Sequence, residues 1–190
     1  MKTVIVGGVA GGMSAATRLR RLDETAEIVV LERSGHVSFA NCGLPYYIGG
    51  VITDRNALLL QTPASLKARF GLDVRVDSEV TAIDRDAKTV AIADLATGKT
   101  YTESYDQLIL APGAAPFVPT IPGVERALAL RNIADTDKLA DAVATALTKP
   151  DPTAVIMGGG FIGIELAENL TERGLKVTVV ELANQILAPM

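Results

Sequence analysis

The apolar and polar positions at the start of the chain predict a strand, a turn, a helix and a second strand. A β-branched run comes first, and a glycine-rich stretch follows it. Ala15, Leu19 and Leu22 then recur at helical spacing and predict one apolar helix face. The predicted elements are a strand over residues 2 to 6, a glycine turn over 7 to 12, a helix over 13 to 22 and a strand over 27 to 32.

The glycine turn and the acid that ends the second strand are typical of a dinucleotide-binding βαβ unit. Backbone N–H groups in such a turn can approach a pyrophosphate at the helix N-terminus. The carboxylate of Glu32, 25 positions after Gly7, can accept hydrogen bonds from a ribose diol. The turn keeps the first and last glycines of the pattern GxGxxG but has Val9 in place of the middle one.

After residue 60 the pattern changes from helical spacing to alternation. Thr62 followed by Pro63 is typical of a helix N-terminus and predicts a helix through about Arg69. Alternation then predicts an antiparallel meander, a buried strand and, after a linker, an amphipathic helix. The meander strands are predicted over residues 79 to 86, 88 to 94 and 99 to 105, with turns at Asp86-Ala87 and Thr97-Gly98, the buried strand over 105 to 111, the linker over 117 to 123 and the helix over 135 to 147.

The opening unit recurs near the end of the chain, where the pattern GxGxxG is intact. A glycine turn alone can be a tight connection that binds nothing, but both units carry an acid at the corresponding strand end. We therefore predict an α/β fold with two Rossmann-like dinucleotide-binding (FAD/NAD(P)-binding) units, the first with a three-stranded antiparallel β-meander. The second unit's predicted elements are a strand over residues 153 to 157, a turn over 158 to 163, a helix over 161 to 173 ended by Gly174 and a strand from Val177 to Glu181.

Composition and charge narrow the classes of function. The 190 residues carry a net charge of −4, which argues against a nucleic-acid-binding surface. Hydrophobic residues make up 48% of the chain, enough for a globular protein with a core. No window holds 18 consecutive apolar residues, so we expect no membrane-spanning helix. A single cysteine fits a reducing cytosol, so we expect a cytoplasmic protein.

That cysteine, Cys42, is the candidate for redox chemistry. Without a second cysteine it can form no disulfide within the chain, so a redox role needs a mixed disulfide with a small thiol or a sulfenic acid. Pro45 predicts the first turn of a helix that starts near Asn41 or Cys42, and a helix N-terminus stabilises a thiolate. The alternative is a buried structural cysteine.

Together these motifs resemble the N-terminal part of the flavin-dependent pyridine nucleotide-disulfide oxidoreductases, specifically their single-cysteine branch. That branch includes coenzyme A disulfide reductases, NADH-dependent persulfide reductases, NADH oxidases and NADH peroxidases. Cys42 followed by Gly-Leu-Pro-Tyr is more similar to the coenzyme A and persulfide reductases, and the coenzyme A group also resembles this chain at Val9 and Pro112. The resemblance covers the whole chain and rests on residues 6 to 12 with Glu32, residues 38 to 45, residues 105 to 114, and residues 158 to 163 with Glu181.

The resemblance implies an FAD-dependent enzyme that passes electrons from NADH through the flavin to Cys42, which reduces coenzyme A disulfide or a related persulfide. Glu181 without a nearby cation implies NADH, with NADPH less favoured. The alternatives are an NADH oxidase or peroxidase that cycles Cys42 through a sulfenic acid, and a flavin-binding thiol redox sensor. The resemblance also implies a homodimer when full-length, and neither nucleic acid, membrane nor metal is expected as a partner.

The resemblance assigns roles to individual positions. Phe161 matches an aromatic residue that covers the nicotinamide site when NADH is absent, and Glu165 matches an acid near the flavin. Cys42 is the catalytic residue. The cofactor-binding positions are Gly7, Gly8, Val9, Ala10, Gly11, Glu32, Arg33, Asn41, Val80, Ala111, Pro112, Gly113, Gly158, Gly160, Phe161, Ile162, Gly163, Glu165 and Glu181, and the substrate-binding positions are Ser14, Arg18, Arg21, Ser38 and Asn41.

Coenzyme A carries several phosphate groups, so a site for it needs cations. Ser14, Arg18 and Arg21 are spaced i, i+4, i+7 and therefore share one helix face. The alternative for these arginines is a solvated surface, and Lys67 and Arg69 are further candidates of the same kind.

The sequence stops one strand after the second glycine turn, although a mononucleotide-binding half needs further βα units to build its sheet. We therefore expect the N-terminal portion of a longer protein. The expected domains are an FAD-binding domain over residues 1–120, a connecting segment over 121–149 and the first part of an NAD-binding domain over 150–190.

Overall fold

The computed structural model describes residues 1–188. The chain divides into two compact units: Met1–Phe39 with Leu59–Ala114, and Ala40–Leu58 with Ala115–Met190. Among the described residues, 3₁₀ turns occupy Asn41–Gly43, Arg55–Leu58 and Val124–Arg126. The helices and strands are, in chain order, β1 (Lys2–Val6), α1 (Ala10–Leu22), β2 (Glu27–Leu31), α2 (Leu44–Gly49), α3 (Pro63–Phe70), β3 (Asp73–Arg75), β4 (Ser78–Asp84), β5 (Thr89–Asp94), β6 (Thr100–Ser104), β7 (Gln107–Leu110), α4 (Ile133–Leu147), β8 (Thr153–Met157), α5 (Phe161–Glu172) and β9 (Lys176–Val180).

The first unit is built on a parallel sheet of four strands in the order β3-β2-β1-β7. Successive residues of β1 face opposite sides, so Ile5 packs with Met13 and Ala16 of α1 while Val4 packs on the other side of the sheet. Both Ile5 and Val4 are completely buried. The apolar run of β1 is therefore that of a strand covered on both faces.

The antiparallel meander β4-β5-β6 covers the second face of this sheet. Val90 and Ile92 of β5 are completely buried against Val4, Val29 and Leu31. The predicted meander is thus confirmed, with strands one or two residues shorter than predicted and a first strand that begins one residue earlier, at Ser78. The packed meander excludes solvent from the face of the parallel sheet opposite α1.

A charged cluster ties the edge of the meander to the parallel sheet. Glu103 of β6 accepts a hydrogen bond of 2.5 Å from Lys2 Nζ and one of 2.6 Å from Arg75 Nη1. Its side chain is only 14% exposed. Burial raises the pKa of the Glu103 carboxyl, but the hydrogen bonds from Lys2 and Arg75 outweigh it and leave the pKa below its ordinary value.

The second unit contains α2, α4, α5 and a two-stranded parallel sheet, β8-β9. Its core joins Ile48 of α2 to Val143 of α4, Leu166 and Leu170 of α5, and Leu175. The predicted strand over residues 153 to 157 is confirmed, and the last strand runs one residue earlier than predicted. Glu181 therefore follows β9 and does not end it.

Three predictions about the first unit are wrong in detail. Helix α1 begins at Ala10 and not at residue 13, because Gly12 has no side chain to hold it away from the carbonyl of Gly7. Leu22 is 67% exposed, since the buried positions of α1 are Gly12, Met13 and Ala16. The last strand of the sheet is not buried: Leu110 is 58% exposed, because β7 lies at the edge.

The remaining predicted helices are confirmed, with changes at their ends. Helix α3 has the predicted cap at Thr62 and extends to Phe70, and its capping box is completed by Ser65. Helix α4 starts at Ile133, since the side chain of Asn132 accepts a hydrogen bond from the N–H of Asp135. The helix predicted near Asn41 is preceded by a 3₁₀ turn, so the α-helix begins at Leu44. The boundaries predicted for the FAD-binding domain, the connecting segment and the NAD-binding domain stay a prediction.

Candidate functional site

The first glycine turn connects β1 to α1 and admits no side chain at its first residue. Gly7 has φ of 101°, and a Cβ there would overlap the carbonyl oxygen of Ala111. The N–H of Gly7 donates to Leu31 O at 2.8 Å, and the N–H of Ala111 donates to Val6 O at 2.8 Å. The turn therefore lies where the carboxyl ends of β1, β2 and β7 meet, which is where open α/β sheets bind ligands.

Glu32 lies directly after β2 and contacts the first glycine turn. Its Oε2 accepts a hydrogen bond of 2.7 Å from the N–H of Gly8. Its Oε1 accepts bonds of 2.8 Å from both the N–H and the hydroxyl of Ser34. The structure thus brings together four of the predicted positions, Gly7, Gly8, Glu32 and Ala111, and it adds Ser34, which was not predicted. An acid followed two positions later by serine was the available signal.

The second glycine turn has the same construction. Gly158 has φ of 106°, and a Cβ at Gly163 would overlap the carbonyl oxygen of Gly158. Glu181 Oε2 accepts a hydrogen bond of 2.6 Å from the N–H of Gly159, and Oε1 accepts one of 2.8 Å from the N–H of Ala183. These bonds, led by that from Ala183, lower the pKa of Glu181 below its ordinary value.

Both turns leave free donors at the start of a helix. The N–H of Met13 donates to Val9 O, and that of Ile164 donates to Gly160 O, so the N–H groups before them have no partner within their helices. Around Gly160, a Cβ would meet no atom within 4 Å. Packing of the described residues gives no reason for glycine at this position, whereas the close approach of a ligand gives one. Each turn fits the pyrophosphate of a dinucleotide.

The other predicted cofactor positions of the first unit lie in different surroundings. Pro112 and Gly113 follow β7 and are exposed. Arg33 is exposed and forms an ion pair of 3.6 Å with Glu79. Val80 packs as a half-buried residue on the core of the meander, so its side chain is part of the fold. Ala10 and Gly11 form the exposed first turn of α1.

In the second unit the side chains at the start of α5 face solvent. Phe161 is 59% exposed and Ile162 is 55% exposed. Phe161 is therefore not a core residue of the described chain. Glu165, one turn further on, is half-buried, and its carbonyl oxygen accepts a hydrogen bond of 2.8 Å from Asn169 Nδ2.

Cys42 belongs to the second unit, in the 3₁₀ turn just before α2. Its residue is exposed, so the alternative of a buried structural cysteine is wrong. The neighbouring Asn41 has its Oδ1 buried, with no hydrogen-bond partner among residues 1–188. The turn therefore presents an accessible cysteine next to a buried side-chain acceptor that lacks a donor.

The predicted substrate-binding positions of α1 share one exposed face. Ser14, Arg18 and Arg21 are all exposed, which leaves both substrate binding and a solvated surface open for them. Near the C-terminal end of the helix, Arg21 lines a cleft together with Arg20, Arg69 and Phe70. Arg20 was not predicted, and its guanidinium is already used because it donates to the carbonyl oxygens of Phe70, Glu24 and Gly71.

Ser38 belongs to the first unit and has a left-handed backbone, with φ of 48°. Its N–H donates to Gly8 O at 2.9 Å, which holds Ser38 on the first glycine turn within the same unit. Residues 1–188 contain no group of three or more His, Cys, Asp and Glu that is arranged to hold a metal. No helix within this range has the length and apolar character needed to cross a membrane.

The sheet order and the two glycine turns define an α/β protein of the dinucleotide-binding class. The family described as pyridine nucleotide-disulphide oxidoreductase matches residues 1–190, and the chain belongs to this family. The predicted family and fold class are confirmed.

Similar proteins include a curated relative and two solved structures. The coenzyme A disulfide reductase of Staphylococcus epidermidis is 39% identical over 186 residues, which cover 97% of this chain and 41% of that protein. Reduced CoADR-RHD of Bacillus anthracis is 55% identical with a TM-score of 0.93, over 100% of this chain and 34% of that one. The NAD-dependent persulfide reductase from A. fulgidus is 36% identical with a TM-score of 0.92, over 100% and 35%. The chain spans about two fifths of the length of the curated relatives it matches.

Proposed function

We propose that the protein is an FAD-dependent oxidoreductase in which electrons from NADH reach Cys42, and that the thiolate of Cys42 reduces coenzyme A disulfide or a related persulfide. The observation that carries the proposal is an exposed cysteine in a chain with two glycine turns that are each bonded to an acid. Similarity to a coenzyme A disulfide reductase and to a persulfide reductase supports the class of substrate.

In this proposal the first glycine turn holds FAD and the second holds NADH. The first turn of α1 would offer its N–H groups to the pyrophosphate, since those of Gly7 and Gly8 already donate to Leu31 and Glu32. Glu32 would accept hydrogen bonds from the adenosine ribose. Bound FAD would supply a carrier that takes a hydride from NADH and passes electrons on in pairs. Glu181 favours NADH, because a carboxylate held at the end of β9 repels a 2′-phosphate.

The chemistry assigned to Cys42 is thiol-disulfide exchange. Its thiolate attacks one sulfur of the substrate disulfide, a sulfur-sulfur bond to Cys42 forms, and one coenzyme A thiolate leaves. Two electrons that originate in NADH, with a proton from solvent, then cleave the mixed disulfide and release the second thiol. With a persulfide substrate the same attack releases hydrosulfide or a thiol, according to which sulfur is attacked.

Cations on α1 would select the nucleotide part of the substrate. Arg18 and Arg21 are exposed on one face, where charge-assisted hydrogen bonds to phosphate oxygens are open to them. Asn41 is adjacent to Cys42, and its buried, unpaired Oδ1 would have to become accessible before a donor on the substrate could bond to it. We further propose a homodimeric full-length protein in the reducing cytoplasm, consistent with a chain that has one cysteine.

The test is the full-length protein with Cys42→Ser, compared with wild type. NADH consumption is measured with coenzyme A disulfide, with a small persulfide, with oxygen and with hydrogen peroxide. We expect wild type to turn over the disulfide or the persulfide fastest, and the variant to retain FAD while losing that activity. Fastest turnover with oxygen or peroxide would instead establish the oxidase or peroxidase alternative. No turnover with any acceptor, despite bound and reducible FAD, would favour the redox sensor.

A further inference from the structure

Helix α2, which begins two residues after Cys42, is attached at its C-terminal end to helix α5. The guanidinium of Arg173, just after α5, donates a hydrogen bond to the carbonyl oxygen of Ile48. Carbonyl groups in the last turn of a helix have no partner inside it, so this donor satisfies one of them. Ile48 itself is completely buried against Leu166 and Leu170 of α5.

A second contact lies one residue further along α2. A Cβ at Gly49 would overlap Asn169 Oδ1 and would lie 2.7 Å from Asn169 Cβ, so only glycine allows the two helices to approach this closely. Asn169 is 3% exposed, and its Nδ2 is engaged by the carbonyl oxygen of Glu165. Its Oδ1 has no hydrogen-bond partner among the described residues, and a Cα–H of Gly49 is the group that faces it.

Short hydrogen bonds and close packing attach the turn that carries Cys42 to its neighbours in the second unit. The N–H of Gly43 donates to Ala40 O at 2.9 Å, and the N–H of Ala40 donates to Leu58 O at 2.9 Å. A Cβ at Gly43 would lie 2.9 Å from Leu58 Cδ2, so the turn packs closely on the side chain of Leu58, and Gly43 is the single residue between Cys42 and α2. Movement of α2 would therefore move Cys42 as well.

Helix α5 thus begins at the second glycine turn and ends at the contacts with α2. Its 12 residues correspond to a rod of about 18 Å. We propose that Asn169 and Arg173 are positioning residues for Cys42, which hold the thiol-bearing segment in a fixed place on the helix that carries the nucleotide turn. The inference rests on the proposed redox role of Cys42, and it adds two residues that contact neither cofactor nor substrate in that proposal.

The experiment uses the full-length FAD-bound protein with Arg173→Met, Arg173→Lys and Gly49→Ala. Arg173→Met removes the donor to Ile48, whereas Arg173→Lys keeps a cation that is able to donate. Gly49→Ala places a methyl group against Asn169 and so pushes α2 and α5 apart. Arg85→Met is the matched control, because Arg85 lies in an exposed turn of the first unit.

Three quantities are measured for each protein. The first is the rate at which iodoacetamide alkylates Cys42, which needs no turnover and so tests the inference even if the proposed reaction is wrong. The second is kcat with coenzyme A disulfide, and the third is NADH-dependent reduction of ferricyanide, which needs flavin but not the thiol.

We expect Arg173→Met and Gly49→Ala to change the alkylation rate at least about twofold and to lower disulfide kcat about tenfold or more, because small displacements of a reacting group are costly. Ferricyanide reduction and FAD content should stay within about twofold of wild type, and Arg173→Lys should recover most of the loss. Alkylation at the wild-type rate in both variants would overturn the inference. So would an equal fall in both activities together with loss of FAD, since that is the result of a purely structural role.

Discussion

Replacing Glu103 by glutamine tests how the first unit is held together. The carboxylate bonds to Lys2 and Arg75, which lie on β1 and β3. Glutamine keeps the size of the side chain and one acceptor oxygen, but it removes the negative charge from a side chain that is 14% exposed. The two cations are left without their shared partner.

The magnitude follows from the exposure of the three groups. Breaking a fully buried ion pair costs about 3 to 5 kcal/mol, whereas an exposed pair is worth less than about 1 kcal/mol. Lys2 and Arg75 are 21% and 30% exposed. They also keep Glu27 at 2.9 Å and Asp73 at 2.6 Å, so water and these two carboxylates compensate them in part. We expect Glu103→Gln to destabilise β1 and β6 by about 2 kcal/mol at pH 7, which is about a 30-fold loss of amide protection.

The loss of stability caused by Glu103→Gln should decrease as the pH falls. The pKa of Glu103 is lowered in the folded protein, so the stability that its charge contributes is complete above its ordinary value of 4.5. That contribution is lost as the pH falls through the folded pKa. The difference between wild type and Glu103→Gln should therefore be largest near pH 7 and should shrink steadily below pH 4.5.

The assay is amide hydrogen exchange of β1 and β6 in the full-length protein, read by mass spectrometry and corrected for intrinsic exchange at each pH. Glu79→Gln is the matched control, because Glu79 pairs at 3.6 Å with an Arg33 that is 73% exposed. That control should cost less than about 0.5 kcal/mol. Equal effects of the two substitutions, or a Glu103→Gln penalty that grows as the pH falls, would refute the reasoning.

Three further predictions concern ligands, each measured in the full-length protein. Gly7→Ala should lower FAD content more than Gly158→Ala lowers affinity for NADH, because only at Gly7 would the new Cβ overlap a carbonyl oxygen; equal losses would contradict this. Glu181→Gln should narrow the preference for NADH over NADPH in kcat/KM, and an unchanged ratio would show that the carboxylate does not select. Arg18→Ala with Arg21→Ala should lower kcat/KM for coenzyme A disulfide about tenfold or more, at roughly 1 kcal/mol per contact, while a small uncharged disulfide is unaffected.

The glycine turns were predictable because their chemistry is local. A turn that needs the positive φ of Gly7 and Gly158, a helix that starts within a few residues, and an acid directly after the next strand all follow from short-range spacing. The bond from the N–H of Gly8 to Glu32 spans one βαβ unit and has its counterpart at Glu181. The same locality explains the correct prediction of the meander, whose turns connect adjacent strands.

Strand β3 and the exposure of β7 were not predictable in this way. β3 has three residues, too few for an alternating pattern, and it exists because β2 offers it a free edge. Leu110 belongs to a run that is as apolar as that of β1, yet it is exposed because β7 has no described strand beyond it. Sheet order is set by long-range pairing, which the composition of a single strand does not encode.

The sequence by itself determined what each segment can do: two turns that accept a pyrophosphate, two acids that accept hydrogen bonds, and one thiol free of any intrachain disulfide. Tertiary structure alone decided which segments belong together. Cys42 lies between segments of the first unit in the chain, yet α2 packs with α4 and α5, which lie about a hundred residues further on. Contacts such as those of Ile48 with Arg173 and Leu170 depend on how distant apolar faces meet, and burial of those faces is a property of the assembled unit.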